Sequence, residues 1–408
     1  MRIIYLHQYF TTPDMAGGTR SYEMARRLVE WGHTVEMITT WREPIDKKDW
    51  FETVEAGIKV HWLPVLYSNK MGFWKRILAF LRFSIKSALK AVSIEGDLIF
   101  ATSTPLTIAI PGVLASKLKK IPLVFEVRDL WPIVPIALGE LRNPLFKQMA
   151  YLLEKFAYKH SSHIIALSPG MMEGIHKSGY PLNKISMIPN SADLELFKPE
   201  PGKSLSSEIS LKIGKGTVVL YPGTLGRVNG VSYLAELAAL VAVHRPDFRF
   251  VVVGDGAEWG KVETKARMLG VLNKTFFMLK SIPKIELIPF FHYADMIISL
   301  VIDIPELQAN SANKFFDALS SGTPVCINYE GWQADLIREH CVGLVLSAQP
   351  EEAVSPFLNF FDNPEEVEKS GMRARQLAET HFSRDILAKK LEKVFIDVIC
   401  EKTDYSNN

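Results

Sequence analysis

Short apolar runs alternate with segments of helical spacing from the first residues of the chain. Ile3–Leu6 is a run of apolar residues, the pattern of a strand buried on both faces. A polar, glycine-containing loop follows. Ser21–Trp31 then places Met24, Ala25, Leu28 and Val29 on one helical face, and Gly32 stops the helix. Val35–Thr39 is the next strand. Lys59–Leu63, Leu98–Ala101, Leu123–Glu126, Ile164–Leu167 and Ile185–Ile188 repeat the pattern, with helical segments between most of them. Strands alternating with helices predict an α/β fold of parallel βαβ units in a doubly wound sheet.

Near Phe197 the texture changes. FKPEPGKSLSSEISLKIGKG lacks a steady period, is rich in Pro, Gly, Ser and Lys, and reads as a linker. A second series follows: Thr217–Tyr221, Phe248–Val253, Phe276–Met278, Met296–Leu300, Pro324–Ile327 and Gly343–Leu346, with helices such as Ser232–His244 between them. The chain therefore reads as an N-terminal domain over 1–196, a second over 197–383, and a C-terminal segment over 384–408. That segment is expected to return to the first domain. Its helix, Arg384–Ile399, is amphipathic, and the tail TDYSNN reads as frayed. Ligands of open α/β sheets bind outside the carboxyl ends of the strands, so two such sheets facing across a cleft put the functional burden on those loops.

Composition narrows the picture. A chain of 408 residues exceeds one ordinary core, and 48% hydrophobic residues suffice for two. A net charge of +2 gives no basic excess for nucleic acid, and the apolar content excludes disorder. Cys326, Cys341 and Cys400 fit no zinc or redox spacing and are expected to be buried thiols in a reducing compartment. The apolar run after Arg2 is too short for a signal peptide, and Ile99–Ala115, which carries Pro105 and Pro111, falls short of a membrane span. The expectation is a cytoplasmic protein with peripheral membrane contact at most.

Several loops carry candidate chemistry. Gly17-Gly18 precedes the first helix, where close backbone approach and free N–H groups suit a phosphate or sugar oxygen; a plain turn capped by Thr19 or Ser21 fits equally. GDGAEWGK (254–261) misses the dinucleotide spacing by one residue and reads as a tight turn. In FEVRDLWP, Arg128 and Asp129 follow a buried strand and either face the ligand or form a structural ion pair. YPGTLGRVNGV sets Arg227 among glycines that begin with Gly223, an arrangement suited to a diphosphate. NSANKFFDALSSGTPV (310–325) is a loop entering a helix, with Ser311 as its expected N-cap and Asn313 and Lys314 in the first turn. A lysine opposes the helix dipole there, and a bound phosphate would resolve the conflict. Asp317 lies one turn further, and Gly322 ends the helix. No Asp-x-Asp triplet and no metal-ligand cluster stands out, and His160 and His163 read as surface helix residues.

At these residues the sequence resembles the retaining GT-B glycosyltransferases of family 4, across nearly its full length. IIYLHQYF…GGTRSYEMARRLVEWGHTVEMIT, FEVRDLWP, IPNSADLELF, GDGAE and ETHFSRDILAKKLEKVF fall in the family's order. The resemblance extends to bacterial transferases that build O-antigen, capsule or exopolysaccharide repeats, including N-acetyl-L-fucosamine transferases. It implies two Rossmann-like domains, a donor site mainly in the second, and retained anomeric configuration. Of the family's paired glutamates, the second position holds Asp317, implied to contact the ribose. The first holds Ala309, with Glu306 three residues earlier as a substitute. Arg227 fits the family's arginine, whereas Asn229 stands where a lysine is expected and Lys314 would compensate.

The reading is then a retaining glycosyltransferase that uses a nucleotide-diphosphate sugar, UDP favoured, and needs no metal or other cofactor. Its acceptor is a saccharide or is polyprenyl-diphosphate-linked. Arg227 and Lys314 take the diphosphate, helped by N–H groups near Gly18 and Ser311–Asn313. Arg128 and Asp129 face the acceptor or the reacting sugar. Asn69–Val92 mixes Lys70, Lys75, Arg76 and Arg82 with Trp74 and phenylalanines and holds no acidic residue. It reads either as a membrane-surface helix at the inner face of a bacterial plasma membrane or as an ordinary helix with its apolar face in the core. The alternatives in function are a nucleotide-sugar epimerase of the same fold and a non-catalytic partner subunit.

Overall fold

The computed structural model describes residues 1–15, 17–65, 73–103, 105–198 and 205–406. The chain divides into two compact units, Met1–Pro189 with Asp385–Asn408, and Asn190–Arg384. The division falls before Asn190, not after residue 196. Residues 190–196 belong to the second unit because Asn190 bonds Ser311, Ala192 bridges Ser383 and Asp193 pairs with Arg384 at 3.0 Å.

Among the described residues the first unit holds eight strands: β1 (Arg2–Leu6), β2 (Thr34–Trp41), β3 (Phe51–Glu55), β4 (Ile58–Pro64), β5 (Leu98–Thr102), β6 (Leu123–Val127), β7 (His163–Ala166) and β8 (Ile185–Met187). Their order is β3-β4-β2-β1-β5-β6-β7-β8, and every pair is parallel except β3–β4. The antiparallel edge strand β3 has no counterpart in the sequence reading. It arises from a tight turn at Ala56 and Gly57, both at positive φ (48° and 79°), a shape that Ala-Gly does not advertise. Its helices are α1 (Arg20–Glu30), α2 (Phe73–Ser93), α3 (Ala109–Lys119), α4 (Ile133–Ala137), α5 (Pro144–Lys159) and α6 (Pro169–Lys177).

The connection from β1 to β2 runs towards one edge of the sheet. Those from β4 to β5, β5 to β6 and β6 to β7 run towards the other. Right-handed crossovers then put α1 on one face and α2, α3 and α5 on the opposite face. The chain's last helix, Arg384–Ser406, packs on the α1 side: Leu387, Leu391 and Phe395 join Met24, Leu28, Tyr5 and Phe100 in one core. The helix continues to Ser406.

The second unit holds β9 (Thr217–Pro222), β10 (Phe248–Val253), β11 (Phe276–Leu279), β12 (Met296–Ser299), β13 (Val325–Ile327) and β14 (Gly343–Val345), in the order β11-β10-β9-β12-β13-β14, all parallel. Its helices are α7 (Ser207–Ile213), α8 (Ser232–His244), α9 (Trp259–Met268), α10 (Lys284–Tyr293), α11 (Asn313–Ser321), α12 (Trp332–His340), α13 (Pro350–Phe361) and α14 (Pro364–Leu377), and the last helix of the chain is α15. Described residues at both ends of the expected linker are held in place. Phe197 is buried against Phe291, with ring centres 4.7 Å apart, and Ser206 caps α7. His163 opens β7 and bonds Ser186, so it is not on a helix. Cys326 is buried in β13, whereas Cys341 and Cys400 are exposed.

One buried ion pair fastens the first unit. Arg20, at the start of α1, bonds Glu126 of β6 through Nε (3.0 Å) and Nη2 (2.8 Å), and the two side chains are 2% and 1% exposed. Arg20 also donates to the carbonyls of Ile188 and Pro189, and Glu126 accepts from Thr102 at 2.6 Å. Burial alone would raise the Glu126 carboxyl, but Arg20 and Arg128 outweigh it and hold it below its ordinary 4.5. Removing one partner strands a buried charge. Glu126→Ala should therefore cost about 3–5 kcal/mol in urea unfolding, and Arg20→Met/Glu126→Leu together should cost less than either single change. Because the folded-state pKa is depressed, the contribution of Glu126 should be complete above its unfolded value and disappear as pH falls through the folded one.

Candidate functional site

A doubly wound sheet opens a crevice where its strand order reverses, because connections on either side leave in opposite directions. In the second unit the reversal lies between β9 and β12. The loop after β9 begins at Gly223, whose φ of 141° suits glycine, and a Cβ there would meet Lys314 Cε at 3.4 Å. Lys314 stands in the first turn of α11. Its Nζ donates to Tyr221 Oη at 2.9 Å and lies 4.1 Å from the centre of that ring. Tyr221 in turn donates to the Thr224 carbonyl at 2.8 Å. Among the described residues no carboxylate lies within ion-pair reach of Lys314. Burial without a counter-charge lowers its ammonium from 10.5 to about 7.

The helix start itself is also unneutralised. Ala312 is the N-cap of α11, and no side chain accepts from the first N–H groups. This corrects the role given to Ser311. Its hydroxyl accepts the Asn190 N–H at 3.1 Å, and its carbonyl accepts from Asn190 Nδ2. Asn313 is exposed. An uncapped helix terminus and a lysine without a carboxylate lie side by side at the reversal, an arrangement that lacks only an anion.

Asp317, one turn on, is partly engaged. Its Oδ1 accepts from Lys284 at 3.0 Å, leaving Oδ2 for a further donor. Burial raises its carboxyl more than Lys284 and Arg384 lower it, and Asp193 adds to the rise. Arg227 is exposed in the turn Arg227–Asn229, while Asn229 Nδ2 bonds the Thr224 carbonyl and so braces the loop. Glu306 is exposed in the turn Pro305–Leu307, and Ala309 is half-buried. GDGAEWGK forms a tight turn: a Cβ at Gly254 would lie 1.8 Å from the Gly223 carbonyl oxygen, so the loops after β9 and β10 touch backbone to backbone.

In the first unit the order reverses between β1 and β5. His7 and Gln8 follow β1. His7 is 2% exposed, its Nδ1 has no hydrogen-bond partner, and burial with nearby Arg128 and Arg42 holds the ring neutral. At Gly17-Gly18, Thr11 Oγ1 donates to the Gly18 carbonyl at 2.9 Å. Thr19 takes the N-cap position of α1 without a side-chain bond to the helix, and the Ser21 hydroxyl accepts from Tyr5 at 2.9 Å. Arg128 and Asp129 follow β6, and the Arg128 N–H donates to Ser103 Oγ at 2.9 Å. Neither side chain forms an ion pair among the described residues. Asp129 is accessible to solvent yet deep among protein atoms, and desolvation raises its carboxyl from 3.8 to about 6 against the pull of Arg128.

Tyr221 and His7 stand inside YPGTLGRVNGV and IIYLHQYF without an expected role, and Lys284 has no motif; only the fold brings them to Lys314, the β1 end and Asp317. A recess of about 430 Å³ lies elsewhere, at the amino ends of β1 and β2, lined by Arg2, Thr34, Lys59 and His61. It is at the wrong end of the strands for a ligand site. Lys70 lies outside the described residues, as do the side chains of Trp74, Lys75 and Arg76; Arg82 is exposed on α2.

Two family models match the chain. The glycosyl transferase 4-like domain covers residues 16–191, and the glycosyl transferases group 1 domain covers 203–377. A protein of Escherichia coli (strain K12) named as the colanic acid biosynthesis glycosyl transferase WcaI is 24% identical over 288 residues, 66% of this chain and 70% of that one. The Escherichia coli UDP-Gal:alpha-D-GlcNAc-diphosphoundecaprenol alpha-1,3-galactosyltransferase is 23% identical, over 71% of this chain and 73% of its own. Anabaena HepE, solved in complex with UDP and glucose, shares the fold with a TM-score of 0.73 at 17% identity, over 97% of this chain and 100% of its own.

The carboxyl of Asp129 gives the site a measurable signature. Its 13C resonance should titrate with a midpoint near 6, and Arg128→Gln should move that midpoint upward, since the guanidinium now holds it down.

Proposed function

We propose, for a chain that belongs domain by domain to the glycosyl transferase 4-like and group 1 families, that it moves a sugar from a UDP-sugar to a lipid-linked saccharide in cell-surface polysaccharide synthesis. The observation that carries the donor side is Lys314, a half-buried lysine with no carboxylate in reach among the described residues, set in the uncapped first turn of α11 beside Gly223. A diphosphate supplies what both lack. Arg227, exposed on a braced turn, adds a second cation. Asp317 keeps one oxygen for a ribose hydroxyl while Lys284 holds the other. Glu306 and Asn313 are assigned to the donor side, and Gly17 and Gly18 offer backbone to a sugar or phosphate oxygen. The names of the Escherichia coli galactosyltransferase and of the HepE complex favour UDP and a diphospholipid acceptor.

The reaction is proposed to retain configuration without a protein nucleophile or a metal. The acceptor oxygen bonds the anomeric carbon on the face from which the phosphate oxygen departs. The acceptor proton passes to that oxygen. Lys314 and Arg227 stabilise the charge that builds on the leaving diphosphate, and the rest of the catalysis is positioning. Arg128 and Asp129 are assigned to the acceptor or reacting sugar. The acid-free helix α2, which carries Trp74, Lys75, Arg76 and Arg82, is assigned with Lys70 just before it to an anionic membrane surface.

Incubation with radiolabelled UDP-sugars and a polyprenyl-diphosphate saccharide tests the reading. Labelled lipid is expected; a free epimer or no turnover by a protein that still binds UDP would reject it. Lys314→Met should weaken UDP binding by about 10- to 100-fold in calorimetry, the worth of one charge-assisted contact. Since only the ammonium attracts phosphate, UDP affinity of the intact protein should rise as pH falls through about 7, and Lys314→Met should flatten that dependence.

A further inference from the structure

α11 carries both halves of the proposed donor contact, Lys314 in its first turn and Asp317 one turn on. Yet it spans only nine residues, and no side chain caps its start. A helix that short is not held by its own hydrogen bonds, so its placement depends on what packs along it. The segment Asn190–Phe197 is such a support. It opens the second unit, and Asn190, Ser191, Ala192, Asp193 and Phe197 are all buried.

The segment is tied to α11 at three points. Ahead of the helix, the Asn190 N–H donates to Ser311 Oγ at 3.1 Å, and Asn190 Nδ2 donates to the Ser311 carbonyl. At the middle, the centre of the Phe197 ring lies 5.2 Å from Nζ of Lys284, the group that donates to Asp317 Oδ1 at 3.0 Å. At the last turn, Arg375 donates to the Ser320 carbonyl and reaches those of Leu194 and Phe197 at 3.4 and 3.5 Å. One guanidinium thus joins the end of the helix to the end of the segment. The segment is stiff in its own right. The Ala192 N–H donates to the Phe382 carbonyl at 2.7 Å. Asp193 Oδ1 accepts the Leu196 N–H at 3.1 Å, and its Oδ2 pairs with Arg384 at 3.0 Å. That pair is also within electrostatic reach of the site, since Arg384 lowers the Asp317 carboxyl and Asp193 raises it.

We infer that Asn190–Phe197 is a strap that sets the donor site from behind: Asn190 is a positioning residue for the start of α11, and Phe197 is a positioning residue for Asp317, acting through Lys284. This rests on the donor reading of α11 given above and adds two residues that lie outside the donor contacts assigned there. The two attachments do different work. Asn190 holds Ser311 by its hydroxyl and its carbonyl, which places the helix start and leaves its first N–H groups open for a diphosphate. Lysine is a long side chain with many rotamers, and an aromatic face beside its ammonium narrows them. Phe197 therefore keeps Lys284 on one oxygen of Asp317 and the other oxygen free for the ribose. Loss of the first attachment should be felt at the diphosphate, and loss of the second at the sugar of the nucleotide.

Calorimetry of the full chain with UDP and with 2′,3′-dideoxy-UDP, which keeps the diphosphate and lacks the ribose hydroxyls, tests this. Asn190→Ala should weaken both nucleotides alike, by about tenfold, because the Ser311 carbonyl loses its donor and the helix start its anchor. Phe197→Leu should weaken UDP by about three- to tenfold and leave 2′,3′-dideoxy-UDP unchanged, so the preference between them narrows. Phe291→Leu loosens the same pair of rings without touching Lys284, and it should keep the full preference. Thermal melting without nucleotide checks that each variant folds; Asn190→Asp and Phe197→Met replace any that does not. If the folded Asn190 variant binds both nucleotides like the unmodified chain, the strap is rejected. The same holds if Phe291→Leu narrows the preference as much as Phe197→Leu does, because the effect is then packing alone. If the unmodified chain prefers UDP and every variant keeps that preference and affinity, the donor reading stands and the strap alone falls. If the unmodified chain binds the two nucleotides equally, Asp317 does not hold the ribose, and the donor reading falls together with the inference.

Discussion

The Arg20–Glu126 pair holds the working end of the first sheet together. It joins the start of α1 to β6, to Thr102 at the end of β5 and to the carbonyls of Ile188 and Pro189 just after β8. The Gly17-Gly18 loop ends two residues before Arg20, and Arg128 begins two residues after Glu126. The candidate acceptor residues therefore hang from an anchor that is itself dry. A buried pair of this kind tolerates the loss of both members better than the loss of one. That makes it a device for fixing position more than a source of stability.

The second unit answers the same desolvation physics differently. Arg20 is buried with a carboxylate; Lys314 is half-buried with only a tyrosine hydroxyl and its ring. One cation is satisfied by the fold and the other is left for a ligand. The contrast gives the donor reading its weight, because an ammonium without a counter-charge at an uncapped helix start is stabilised by an incoming anion. Tyr221 and Asn229 both bond the Thr224 carbonyl, so the loop that would receive the phosphate is already shaped.

On the far face of the first sheet the balance of burial is inverted. Serine and alanine lie inside α2, and leucine lies outside. Small inward residues let the helix approach the sheet closely, and the leucines are free for another apolar phase.

The alternation of apolar runs and helical spacing settled the α/β class and the tandem order, because strands buried on both faces cannot hide their composition. It also placed the strand ends from which Arg128, Arg227 and Lys314 follow. What it could not reach depended on contacts distant in sequence. Ser311 has the chemistry of a cap, but Asn190 claims its hydroxyl. Phe197 sits in a polar stretch, but Phe291 buries it. β3 pairs only because Ala56 and Gly57 both turn through positive φ. The acid-free character of α2 was legible from its residues, yet whether its leucines faced core or solvent was not. Periodicity fixes which residues share a face, and only the packed sheet decides which face is covered.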